Sequence, residues 1–380
     1  MPYWRLSLFY FFYFAALGAF IAFWGLYLQQ IGINEFGIGS LLAVFVAPRI
    51  FSPIVFAWVA DKTQKLILVL QVSSILMLIS FIGLVFADKL TFMFFWTFCF
   101  GFFFSGILPK FEALTFGYIL NESHKYTLIR LWGSIGFTLA VLIFGWVLQQ
   151  TAVDWLPYML ILLVGGIVLV SFSLQDTKVF DAKQEQSFIN ILFIPKVRYI
   201  LLVAFLVQLS HGVYYAFFSI YLQEFSYSKD TIGFLWAIGV LSEIALFIYL
   251  SRIKLKFSYH TLIMLALVLT VLRWMLTAII AQDWFLLSLV QLLHAASFAL
   301  FHAIAVQYIN AIFTRNTRAR GQAVYAMASF GAGGMLGSII AGASWDYIGG
   351  PAVFALSALA ALAAAFIWHI NKSKIEVKVL

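Results

Sequence analysis

The chain has very little charge. Only 10% of its 380 residues are Asp, Glu, Lys or Arg, where a soluble domain carries about a quarter. It has one cysteine, Cys99, inside the apolar run Phe98-Cys99-Phe100, which excludes a disulfide framework and any multi-thiolate metal site. Proline is scarce too, at 7 residues. What fills the chain is apolar: 64% hydrophobic types, 42 phenylalanines and a mean hydropathy of +1.02. A soluble surface cannot be built from this composition, so the solvent is lipid and the chain is an all-α integral membrane protein.

Apolar stretches of about 20 residues separated by short polar turns predict spanning helices at roughly 6–29, 38–60, 66–87, 91–118, 128–149, 155–174, 197–223, 231–251, 260–281, 284–310, 321–343 and 351–370. That predicts twelve transmembrane helices, antiparallel to their neighbours wherever the turn is short. One connection is long. Residues 175–196, with Asp176, Lys178, Asp181, Lys183 and Glu185, separate an expected six-helix bundle at 1–174 from a second at 197–380. Met1–Arg5 carries one cation, and the first span is too long for a signal-peptide core and lacks a small-residue cleavage site, so it is expected to remain as a span.

The net charge of +8 raises the question of a nucleic-acid partner, which the placement of the cations answers. Lys and Arg gather near both termini, at 61–65, 119–127, 252–260 and 311–320, and in the central loop. Turns on the opposite side carry only Lys89 and Lys229. Positive charge marks the cytoplasmic face, so the expectation is a multi-pass protein of the bacterial inner membrane with both termini cytoplasmic, and no nucleic acid.

Arg49, Lys110, Arg130 and Arg273 lie within predicted spans, as do Glu112, Glu243, His211 and His294. An ionised side chain at a helix centre costs at least about 2.5–3.5 kcal/mol, so each requires a reason. Glu112 and Arg130 are equidistant from position 121, and about nine residues at 1.5 Å place both roughly 13 Å from that turn, near the midplane. Arg273 and His294 straddle the Gln282-Asp283-Trp284 turn in the same way. Taken singly each has a structural reading: Glu112–Arg130 as an inter-helix staple, a histidine as a hydrogen-bonded packing residue, Arg49 after Pro48 and Lys110 after Pro109 as partners of carbonyls freed by a kink. His302, nearer the cytoplasmic end, is read as structural. Taken together, acids, cations and histidines at one depth predict a polar cavity between two halves. His211, Tyr214, Tyr215 and Phe218 share one helix face by their i, i+3, i+4, i+7 spacing, and Trp132 and Trp236 are further candidate aromatic walls.

The turn Ala57-Trp58-Val59-Ala60-Asp61-Lys62-Thr63-Gln64-Lys65 resembles the G-x-x-x-D-[RK]-x-G-[RK] signature of the major facilitator superfamily, with Ala57 and Gln64 in place of the glycines. Further strings are Arg130-Leu131-Trp132-Gly133-Ser134-Ile135-Gly136-Phe137, Ser210-His211-Gly212-Val213-Tyr214-Tyr215, Gly239-Val240-Leu241-Ser242-Glu243, Arg273-Trp274 and Gln291-Leu292-Leu293-His294-Ala295-Ala296-Ser297-Phe298. Together they resemble the phenylpropionate permease family, a branch of that superfamily related to lactose–proton symporters.

The resemblance implies twelve helices in two pseudo-symmetric six-helix bundles, alternating access and proton coupling. By it, Glu112 and Arg130 match the carboxylate and arginine of the sugar symporters' substrate site, and Glu243, Arg273 and His294 their charged network. Ser297 stands where those symporters carry a further carboxylate, so the proton falls to Glu112, Glu243 or His294. Asp61, Lys62 and Lys65 are the expected gate. Expected substrate contacts are Glu112, Arg130, Trp132, His211, Tyr214, Trp236 and Arg273. The expected function is proton symport of a small aromatic carboxylate such as 3-phenylpropionate, with a sugar or nucleoside symporter as the alternative. No cofactor, no metal and no obligatory protein partner are expected. No nucleotide-binding or hydrolase motif is present, which leaves an integral-membrane enzyme without a nucleophile.

Overall fold

The computed structural model describes residues 2–119, 123–175, 194–254, 257–313 and 317–376. The expected central loop falls almost wholly outside them. No strand occurs among the described residues. The chain divides into two compact units, Met1–Asp181 with Tyr227–Ala237, and Ala182–Ser226 with Ile238–Leu380.

In the first unit, α1 (Tyr3–Gln30) is followed by α2 (Glu35–Val46) and α3 (Ser52–Thr63), then α4 (Leu66–Val85), α5 (Leu90–Ile119), α6 (Ser123–Gln150) and α7 (Leu156–Phe172). Asn34 starts α2 by accepting the Gly37 N–H at 2.9 Å, a side-chain cap on a free donor. The span expected at 38–60 is broken. Pro48 opens a short turn at Ala47–Ile50, Pro53 follows, and the two arms meet at 41°. Phenylalanines account for much of the packing here: Phe20 stacks on Trp24 at 5.2 Å, and Phe45 stacks on Phe100 at 5.4 Å. Gly136 lets α6 lie directly on α1, because a Cβ there would meet the Phe11 carbonyl.

The second unit holds α8 (Pro195–Glu224), most of α9 (Lys229–Lys254), α10 (Tyr259–Ile280) and α11 (Trp284–Leu292). A π-turn at Ala295–Leu300 leads to α12 (Phe301–Ile312). After α13 (Arg318–Ala326) a second π-turn, Met327–Gly333, leads to α14 (Gly334–Ile370) and the short α15 (Lys372–Ile375). Gly337 does for α8 and α14 what Gly136 does in the first unit: a Cβ would collide with the Leu209 carbonyl. α15 is tied to this unit by Ile375, whose carbonyl accepts the Tyr308 hydroxyl at 2.6 Å and whose side chain is buried. The first turns of α9 instead pack in the first unit, where the Lys229 N–H donates to Gln149 Oε1 at 2.9 Å.

Among the described residues ten helical stretches are long and apolar enough to cross a bilayer, or eleven with the bent pair counted as one span. The last of them, Arg320–Ile370, is 51 residues, about 76 Å at 1.5 Å per residue, against a core of about 30 Å. Gly349 breaks it with φ 76° and ψ 160°, a backbone region open essentially to glycine alone. The two spans expected at 321–343 and 351–370 lie on either side of this break.

Candidate functional site

Two polar clusters, one in each unit, carry Glu112 with Arg130 and Glu243 with Arg273 and His294; Arg49 lies instead over the Phe45 ring at 6.0 Å. In the second unit Arg273 of α10 is completely buried. Its Nη1 donates to His294 Nδ1 at 2.7 Å and to Ser297 Oγ at 3.0 Å, and its Nη2 donates to Gln291 Oε1 at 3.2 Å. Aromatic faces close over the guanidinium, Tyr214 at 4.3 Å and Trp274 at 4.4 Å. On its far side, His294 Nε2 lies 2.7 Å from Glu243 Oε1. An arginine only donates, so Nδ1 must be the acceptor and the neutral ring keeps its hydrogen on Nε2, aimed at the carboxylate. The three groups form a chain from carboxylate to imidazole to guanidinium. The Glu243 side chain is 17% exposed and that of His294 5%, so the carboxylate is the more open end of the chain.

His211 and Tyr214 of α8 also belong to this cluster, as the i, i+3 spacing predicts. Tyr214 donates its hydroxyl to Gln291 Oε1 at 3.2 Å. His211 Nδ1 is 2.8 Å from the Val207 carbonyl, which requires the hydrogen on Nδ1 and makes the ring a packing residue on that side. Its ring centroid stands 6.2 Å from that of His294.

The first unit holds Glu112 on α5 and Arg130 on α6. The direct pair that the sequence admits is not formed. Glu112 Oε1 accepts the Tyr126 hydroxyl at 3.2 Å, and Arg130 lies over the rings of Phe14, at 3.9 Å, and Tyr10, at 5.5 Å. Among the described residues no carboxylate lies within 4 Å of its guanidinium. Space for the guanidinium comes from Gly133, where a Cβ would sit 2.8 Å from Arg130 Nη1. Arg130 and Glu112 are half-buried, unlike the sealed Arg273. Trp132 turns elsewhere. Its Nε1 donates to the Tyr3 hydroxyl at 3.0 Å and its ring meets Trp4 edge-on, because residues two apart on a helix do not share a face. Trp236 is buried in the part of α9 that belongs to the first unit.

Residues 3–356 match the family model described as the MFS_1 like family. The chain belongs to that family, within the major facilitator superfamily. It is similar to the "Probable 3-phenylpropionic acid transporter" of Escherichia coli strain K12, 29% identical over 95% of this chain and 96% of that one. A maltose permease of Geobacillus stearothermophilus is 24% identical over 88% and 86%. In three dimensions a variant of the nucleoside transporter NupG superposes with a TM-score of 0.87 at 18% identity, covering 97% of this chain and 99% of that one. The chain is thus a multi-pass membrane transporter and not an enzyme.

The superfamily turn explains one substitution in this transporter. Gln64 occupies the second glycine position of the signature and adopts φ 53°, ψ 26° at the end of α3, a left-handed conformation that favours glycine. Its Nε2 donates back to the Asp61 carbonyl at 2.6 Å. Gln64→Gly removes roughly 1 kcal/mol of backbone strain. The expected result is a melting temperature about 1–2 °C higher, and a lower one would show that the bond to Asp61 outweighs the strain. Of the other expected gate residues, Lys62 Nζ stands 5.1 Å over the Trp58 ring, and Lys65 leads into α4.

Phe14, Tyr10 and Tyr126 in the first unit, and Gln291 and Trp274 in the second, complete the clusters without having been singled out as site residues in the sequence. A helical signal existed for two of them: Tyr126 precedes Arg130 by one turn, and Gln291 precedes His294 by one turn.

Proposed function

We propose that this transporter moves a small aromatic monocarboxylate together with a proton by alternating access, through twelve spans arranged as two bundles of six. Arg130 carries the proposal. It is a half-buried guanidinium resting on aromatic rings, with no carboxylate within ion-pairing distance among the described residues. A guanidinium can take a carboxylate in a two-pronged hydrogen bond, and the Phe14 and Tyr10 faces suit an attached ring. The similarity to the Escherichia coli protein supports the same substrate class.

Glu243 and His294 carry the proton in this reading. With the ring hydrogen already on Nε2, a proton that reaches Glu243 stays on the carboxyl; the imidazole takes a further proton only at Nδ1, and that sets an imidazolium 2.7 Å from Arg273. Two like charges at that distance repel, so protonation would displace Arg273 and repack the second unit. One proton with one monoanion is electroneutral, and the pH gradient alone then drives uptake. The gathering of Lys and Arg in the turns of one side supports cytoplasmic termini and a bacterial inner membrane in this reading.

A sugar substrate is the second reading, favoured by the maltose permease relative, with Glu112 and Tyr126 binding hydroxyls. Thermal unfolding of the purified transporter separates the two, since a ligand that binds the folded state raises its melting temperature with concentration. The expected result is a rise with 3-phenylpropionate and none with maltose, and the reverse assigns the sugar.

A further inference from the structure

Gln291 lies one turn before His294, fully buried at the end of α11. Two donors converge on its Oε1, Arg273 Nη2 from α10 and the Tyr214 hydroxyl from α8, each at 3.2 Å. The guanidinium can only donate, so it orients the amide with its oxygen inward, and the Tyr214 hydroxyl then donates to that same oxygen. Arg273 is therefore gripped at two points. Nη2 is held by Gln291, and Nη1 is pressed on His294 Nδ1 with Ser297 Oγ beside it.

We propose that Gln291 is a positioning residue for His294: by anchoring Arg273 it keeps a positive N–H on Nδ1 and so holds the imidazole neutral, with its hydrogen on the Glu243 side. Groups from three neighbouring helices face His294. Glu243 comes from α9, Arg273 from α10, and His211 and Tyr214 from α8, with ring centroids at 6.2 and 5.6 Å; Phe298 stacks on it from the following π-turn at 5.4 Å. Glu243 favours the imidazolium and Arg273 opposes it. The balance thus depends on how firmly Arg273 is held, and Gln291 is the acceptor on its other prong. Without that acceptor a buried guanidinium seeks another partner and leaves Nδ1, because an unpaired buried charge is costly. Nδ1 then becomes free to take a proton.

The proposal rests on the proton-carrying part of the reading above, and its test uses no substrate, so failure to transport 3-phenylpropionate does not bear on the result. The measurement is NMR of protein labelled with ring-15N histidine, titrated with acid, with the His294 signals identified by their loss in His294→Gln. In the natural sequence His294 is expected as the neutral ring with hydrogen on Nε2. Gln291→Met keeps the side-chain length and removes the acceptor, and is expected to raise the proton affinity of His294 by about tenfold or more. Tyr214→Phe removes the other hydrogen bond to the same oxygen and the hydroxyl's own contact with Arg273, but leaves Arg273 its Gln291 acceptor and its aromatic face. Its expected shift is less than about twofold. Equal shifts in both variants would reduce Gln291 to ordinary packing. An unshifted Gln291→Met, or a natural His294 with its hydrogen on Nδ1, would overturn the proposal outright.

Discussion

The Arg130→Gln variant is expected to bind 3-phenylpropionate at least about thirtyfold more weakly, since losing one partner of a desolvated charge pair costs roughly 2–5 kcal/mol. Arg130→Lys separates the contributions. It retains the charge and loses both the two-pronged geometry and the planar stack on Phe14, so an intermediate loss of about tenfold follows. The sealed arginine should behave differently. Arg273 is enclosed by Tyr214, Trp274, His294, Ser297 and Gln291, so its replacement disturbs folding and proton handling before it disturbs first contact with substrate. Equilibrium binding to purified variants reads the difference. Unchanged affinity in Arg130→Gln would remove Arg130 from the substrate site and return its cluster to a structural role.

Glu243→Gln is expected to uncouple the transporter. The carboxamide can still accept the His294 Nε2–H, so the geometry of the chain survives, but it cannot carry a proton. With one proton per monoanion, a pH gradient of one unit supports accumulation of about tenfold. In Glu243→Gln that ratio should fall to about one, while exchange of labelled for unlabelled substrate, which needs no net proton movement, stays within about threefold. The pH dependence has a definite sign. In the natural sequence, uptake falls as the outer solution is made more alkaline, because the proton-loaded form is depleted; in the variant, exchange loses that slope. Accumulation and exchange falling together would show that Glu243 only buttresses His294.

The helical spans were legible because the lipid imposes them: long apolar runs have one stable backbone solution, and short turns fix antiparallel neighbours. The break at Pro48 was legible too, since proline removes a donor. The π-turns at Ala295–Leu300 and Met327–Gly333 were not, because no residue type marks them. The second unit's cluster followed from depth and helical face, which put His211, Tyr214, Arg273 and His294 together. The first unit's did not fully follow. Depth placed Glu112 and Arg130 at one level, but depth leaves open whether two charges touch or each finds another partner. Tyr126 and Phe14 take those places, and Tyr126 and Phe14 read in the sequence as two aromatics among many. Trp132, a candidate aromatic wall by residue type, meets Tyr3 and Trp4, partners that residue type does not name.

Uptake into proteoliposomes tests the central claim most directly. Purified transporter is reconstituted, an inside-alkaline gradient of one pH unit is imposed, and labelled 3-phenylpropionate is supplied outside, with maltose in a parallel sample. The account predicts that the acid accumulates about tenfold, that a protonophore abolishes the accumulation, and that maltose stays out. Maltose accumulating while the acid does not, or accumulation of the acid that survives the protonophore, would contradict it.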